Sequence, residues 1–126
     1  MINFNERSAV FNLRPVEKIS CQEDLQKLMI TGESIIQAFK TVRDMIIFTN
    51  KRIITVDIQG VGVKKDFVTL PYSKIQYFSV QTKGLVELVH DCELQLFFSD
   101  GFAARFEFTG RTDIVAIGHA ISEYAL

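Results

Sequence analysis

"ELQLFFSDGFAARFEF", residues 93–108, is a pair of period-two apolar runs hinged on an Asp-Gly dipeptide. Leu94, Leu96 and Phe98 share one face, and Phe102, Ala104, Phe106 and Phe108 share one on the run that follows. Such alternation marks antiparallel strands with a single buried face, and Asp100-Gly101 favours a two-residue hairpin turn. The same period runs through most of the chain before it. Candidate strands are 34–42, 45–49, 52–58, 66–70, 76–82, 92–99 and 102–109, bounded by Arg43-Asp44, Asn50-Lys51, Gly60 and Gly62, Pro71, Lys83-Gly84 and Asp100-Gly101.

Helical spacing occurs only towards the ends. Pro15 can open a helix, and Val16, Ile19, Leu25, Leu28 and Met29 predict a short or broken one over about 15–30, ended by Thr31-Gly32. Residues 1–14 read as an irregular segment docked by Ile2, Phe4, Val10, Phe11 and Leu13, ahead of a domain over 15–126. At the other end Thr112 can cap a helix whose stripe is Ile114, Ile117, Ile121 and Tyr124. About seven strands and a closing helix imply a mainly β sandwich or barrel with one open end plugged.

Composition narrows the function classes. The chain has 126 residues, 48% apolar and 23% charged, enough for one domain with its own core. A net charge of −1 argues against a nucleic-acid binder. Cys21 and Cys92 lie far apart with no CxxC spacing and read as reduced thiols. No signal peptide or apolar span is visible, so the expected location is cytoplasmic.

In "FTNKRIITVDIQG", residues 48–60, Lys51 and Arg52 stand between two apolar runs. With Asn50-Lys51 as a two-residue turn, paired residues have numbers summing to 101. Met45, Ile47, Val56 and Ile54 then share one face, and Asp44, Ile46, Phe48, Asp57, Thr55 and Ile53 the other. Both faces are largely apolar, so the second needs a cover: the N-terminal helix or another subunit. A strand of this length spans about 20 Å, which separates Lys51 and Arg52 from Lys64 and Lys65. The turn charges read as solvated, whereas Lys40, Arg43, Lys64 and Lys65 converge on the open end.

The stretch "GESIIQAFKTVRDMIIFTNKRIITVDIQGVGVKKDFVTLPYSKIQYFSV", then "ELQLFFSDG" and the closing helix, resembles the bacterial pleckstrin-homology (PH) domain family. The most specific pieces are Arg43-Asp44, "FTNKRI", "VDIQG" followed by Lys64-Lys65, and "LPYSKI", in that order. The resemblance covers about Pro15 to the C-terminus. It implies a barrel of two orthogonal antiparallel sheets closed by a C-terminal helix, no enzymatic activity, and self-association into closed rings through strand edges. It also marks Lys40, Arg43, Lys64 and Lys65 as the positions where phosphoinositide-binding relatives carry cations, here interleaved with Asp44 and Asp66.

No catalytic motif is present, and His90 and His119 are the only histidines. In "VHDCE", residues 89–93, strand geometry puts His90 and Cys92 on one face and Asp91 and Glu93 on the other, too few for a metal site; no cofactor is expected. Asp44 and Asp57 fall opposite each other, with Arg43, Lys40 or Lys64 available to neutralise them and a weak cation site as the lesser reading. Leu85, Val86, Leu88 and Val89 are apolar residues in a Gly-led connection and are candidate self-association residues. The expected function is a PH-like interaction module forming a cyclic homo-oligomer, with other proteins as further partners. The alternative is a membrane-surface module binding anionic lipid through Lys40, Arg43, Lys64 and Lys65.

Overall fold

The computed structural model describes residues 7–59, 64–84 and 89–126. In chain order these form β1 (Ser8–Val16), α1 (Gln22–Leu28), β2 (Ile35–Lys40), β3 (Met45–Thr49), β4 (Arg52–Gln59), β5 (Lys64–Pro71), a 3₁₀ turn (Tyr72–Lys74), β6 (Ile75–Gln81), β7 (Val89–Phe98), β8 (Ala103–Thr112) and α2 (Ile114–Ala125). The strands make one curled sheet in the order β5-β4-β3-β2-β1-β8-β7-β6.

This corrects the expectation of two sheets and seven strands. The eighth strand is β1, drawn from the segment read as irregular. Phe11 and Leu13 point into the core while Val10 is 57% exposed, so the segment obeys period two. Ser8 to Leu13 run parallel to β8, and Arg14 to Val16 then pair antiparallel with β2. One strand thereby joins what would otherwise be two sheets. Pro15 lies in this strand, and the expected helix over 15–30 shrinks to Gln22–Leu28. The Pro15 ring packs closely on Gly110, whose φ is +117° and where a Cβ would stand 3.0 Å from that ring.

The β3–β4 hairpin has the expected register, Phe48 opposite Ile53 and Met45 opposite Val56. The β7–β8 turn does not: Phe97 faces Ala103 and Leu96 faces Ala104, so the turn holds three residues. Gly101 takes φ +94°, and Asp100 accepts a hydrogen bond from the Phe102 amide at 3.0 Å.

Two apolar clusters result. The larger fills the concave side with Phe11, Phe39, Phe48, Phe106 and Phe108 beneath Ile114, Ile117 and Ile121 of α2. Asp113, not Thr112, caps that helix, accepting from the Ala116 amide at 3.2 Å. The smaller cluster sits on the convex side, where Cys21 and Leu25 of the α1 segment cover Ala38, Met45, Ile47, Ile54 and Val56. The second apolar face of the hairpin is thus covered from within the chain.

Candidate functional site

The turn cations have structural roles. Arg52 holds Glu33 through two bonds, Nε to Oε2 at 3.0 Å and Nη2 to Oε1 at 3.0 Å. It also donates to Thr69 Oγ1 at 2.9 Å and to the Leu28 carbonyl at 2.6 Å. The guanidinium therefore ties together the end of α1, the lead-in to β2, and strands β4 and β5. Expected to be solvated, the Arg52 side chain is only 17% exposed and that of Glu33 is fully buried. Burial raises the Glu33 carboxyl, but hydrogen bonds from Arg52, Thr49 and the Ile30 amide outweigh it and leave the group below the ordinary glutamate value. Lys51 donates to the Tyr124 hydroxyl at 2.8 Å, pinning the turn to the last turn of α2.

At the open end the acids lie inside and the cations outside. Asp44 and Asp57 are both buried and lie close enough to act on each other directly. Burial first, and the facing Asp57 second, push the Asp44 carboxyl above the ordinary aspartate value. Among the described residues, no ion pair from Arg43, Lys40 or Lys64 neutralises them. Among the described residues an acid pair stands where the ion network was expected: Arg43 lies on the β2–β3 turn and Lys40 on the far side of the sheet. Lys65 binds Asp24 of α1 at 3.0 Å, Lys64 is exposed at the start of β5, and Arg43 is exposed on the β2–β3 turn. Lys40 instead stands directly opposite Arg14 of β1, a neighbour that the sequence did not suggest.

The four residues read as a self-association surface divide. Leu85, Val86 and Leu88 lie outside the described residues, whereas Val89 begins β7, opposite Thr112, and is buried. A different apolar surface is present. β5 and β6 are the two ends of the sheet order, consecutive in sequence but not paired with each other. Beside β5 lies a groove of about 580 Å³ lined by Val68, Leu70, Pro71, Phe98 and Phe102, with Lys74 and Asp100 also on its walls.

The "VHDCE" cluster is a β-bulge. The pairing register shifts between His90 and Cys92, and Asp91 takes φ +57°. The bulge sends His90 outward and Cys92 inward, so they do not share a face as the simple strand alternation predicted. Both cysteines are buried and outside any disulfide, and burial raises both thiols above their ordinary value. No group of three metal-ligating side chains gathers among the described residues. Among the described residues no helix is long and apolar enough to cross a membrane.

Residues 6–125 match the family model for the bacterial PH domain. The uncharacterized protein YjqA of Bacillus subtilis (strain 168) is 43% identical over 89 residues, which are 70% of this chain and 70% of that protein. Among solved structures, a DUF1696 family protein with a pleckstrin-homology domain from Shewanella loihica PV-4 is similar at 34% identity and a TM-score of 0.66. That match covers 92% of this chain and 99% of that one. A pleckstrin homology domain from Shewanella amazonensis SB2B is also 34% identical, with a TM-score of 0.54 over 88% of this chain and 92% of that one.

Proposed function

The chain belongs to the bacterial PH domain family, and we propose that it is a non-enzymatic interaction module that joins further copies of itself through the edges of its sheet. The observation that carries this reading is the open seam: β5 and β6 terminate the sheet order, and an apolar groove runs beside β5. An unpaired edge presents a row of backbone donors and acceptors, the usual template for strand addition. The groove provides space for apolar side chains of an added strand. Because the two edges differ in sequence, β5 of one copy meeting β6 of the next is a head-to-tail contact. Repeated with a suitable rotation, it closes into a ring.

The cover that α1 places over the β2–β4 face moves the argument for association from that face to the edges. The separation of His90 from Cys92 and the burial of both thiols support binding over catalysis. The membrane reading through Lys40, Arg43, Lys64 and Lys65 is the weaker one, since Lys65 is committed to Asp24.

Lysines on an edge strand obstruct strand addition. Ser79→Lys with Gln81→Lys, at two exposed positions of β6, is expected to reduce the assembly to a 14.4 kDa monomer with an unchanged circular dichroism spectrum. An assembly that withstands both lysines would place the contact elsewhere.

A further inference from the structure

At the corner where β1 leaves β8 for β2, two cations face each other with no counterion among the described residues. Arg14 and Lys40 are direct partners in the antiparallel register, which places their Cβ atoms about 4.5–5.5 Å apart. Like charges in that position destabilise a sheet unless something neutralises them. Among the described residues neither side chain makes an ion pair or a hydrogen bond. Two other cations on the convex side are partnered, Lys65 by Asp24 and Arg105 by Glu93.

We propose that this corner binds a phosphate monoester between Arg14 and Lys40. The charge matches: two adjacent cations suit a dianion, whereas a carboxylate would satisfy only one of them. The geometry matches too. Arg14 offers a planar fork that can hold two phosphoryl oxygens, and Lys40 offers a compact point charge beside it. A cavity of about 370 Å³ opens over them, with β1 residues Asn12 to Arg14 along one side and Thr109, Thr41 and Val42 among the others. That space holds a phosphoryl group together with part of the molecule it esterifies. The Asn12 side-chain amide, without a partner among the described residues, adds a further donor.

The site is separate from the acid pair. Arg14 and Lys40 share strand parity with Val16 and Ala38 of the convex cluster, whereas Asp44 and Asp57 share it with Ile46 and Ile53 of the concave core. The acids therefore point to the other side of the sheet and do not dilute the positive field. Fully exposed Val42 stands at the rim. A phosphate borne by a lipid would bring acyl chains towards that side chain, and a soluble phosphomonoester would leave it in water. The corner is also away from the β5–β6 seam, so it stands whether or not the chain self-associates.

The test is an amide NMR titration with glycerol 3-phosphate, run beside co-sedimentation with phosphatidic acid and with phosphatidylcholine vesicles. Saturable shifts are expected at Asn12, Arg14, Lys40, Thr41 and Val42. Arg14→Gln with Lys40→Gln should weaken binding about thirtyfold, equivalent to about 2 kcal/mol at about 1 kcal/mol per cation. Lys64→Gln should leave it unchanged. Both corner residues are exposed, so the double variant is expected to keep the wild-type amide spectrum outside the corner. Capture by phosphatidic acid but not phosphatidylcholine vesicles, lost in the double variant, would identify a lipid-borne phosphate. Saturable glycerol 3-phosphate shifts without capture would identify a soluble one. No saturable shift and no capture, or binding undiminished in the double variant, would overturn the proposal.

Discussion

Asp44, on the β2–β3 turn, and Asp57, on β4, meet as a buried acid pair, and one oxygen of Asp44 has no hydrogen-bond partner. Two like charges facing each other are unfavourable, and burial adds a desolvation penalty to each. Burial and the facing Asp57 together favour the protonated form of Asp44.

The pH dependence of stability follows from the raised Asp44 carboxyl. The folded state holds this proton more tightly than the unfolded chain does. Its contribution is complete below the ordinary aspartate pKa of about 3.9 and is lost as pH rises through the raised folded value. Asp44→Asn keeps a donor and removes the charge, so it should stabilise the protein at neutral pH by about 1 kcal/mol, the upper range for a cross-strand pair. Urea melts of both proteins at acidic and neutral pH check this; an equal effect at the two pH values would show that the charge is irrelevant.

Glu33 has the opposite sign. Its carboxyl is held below the ordinary value, so its contribution is present above about pH 4.3 and is lost as pH falls through the depressed folded value. Glu33→Gln leaves the Arg52 guanidinium without its anion in a largely buried setting, and breaking such a pair costs about 3–5 kcal/mol. The gap between wild type and variant should narrow in acid. A loss below about 1 kcal/mol at neutral pH would mean that the pair behaves as a surface ion pair.

Leu25, fully buried, is the centre of the cover that α1 places on the β2–β4 face. Leu25→Ala is expected to destabilise by about 2–5 kcal/mol. Leu25→Asp should detach the segment and expose Met45, Ile47, Ile54 and Val56, detectable as binding of a hydrophobic dye. A Leu25→Asp protein that melts like wild type would show that the cover is dispensable.

Gly110→Ala tests the corner at Pro15. The new Cβ would meet the proline ring at 3.0 Å in a backbone conformation of φ +117°, and such a position costs about 1–3 kcal/mol for a residue other than glycine. A neutral effect on the melting midpoint would mean that β1 can shift to make room.

The hairpins were largely legible in the sequence because their signals are local. Asn50-Lys51 set the β3–β4 register, and the pairs observed from Met45–Val56 to Phe48–Ile53 follow from it. The faces of β7 and β8 were also readable, but a two-residue turn there is inconsistent with them. It would set Leu96, which points inward, against Arg105, which points outward; the three-residue turn restores Leu96 to Ala104. β1 was not readable as a strand, because its parallel partner lies almost a chain length away and leaves no turn signature between them. For the same reason no local pattern suggested that Arg14 would face Lys40. Glu33 was missed because its partner Arg52 looked like an ordinary turn cation, and only the fold brings Leu28, Thr69 and Glu33 around it. The bulge at Asp91 reversed the facing of His90 relative to Cys92, an effect of one residue that strand alternation cannot anticipate.

The central claim is association through the open seam, and solution mass tests it most directly. Native mass spectrometry or light scattering on a sizing column should give a discrete multiple of 14.4 kDa that persists on dilution. A monomer at every concentration would contradict the account and leave both sheet edges to a different protein.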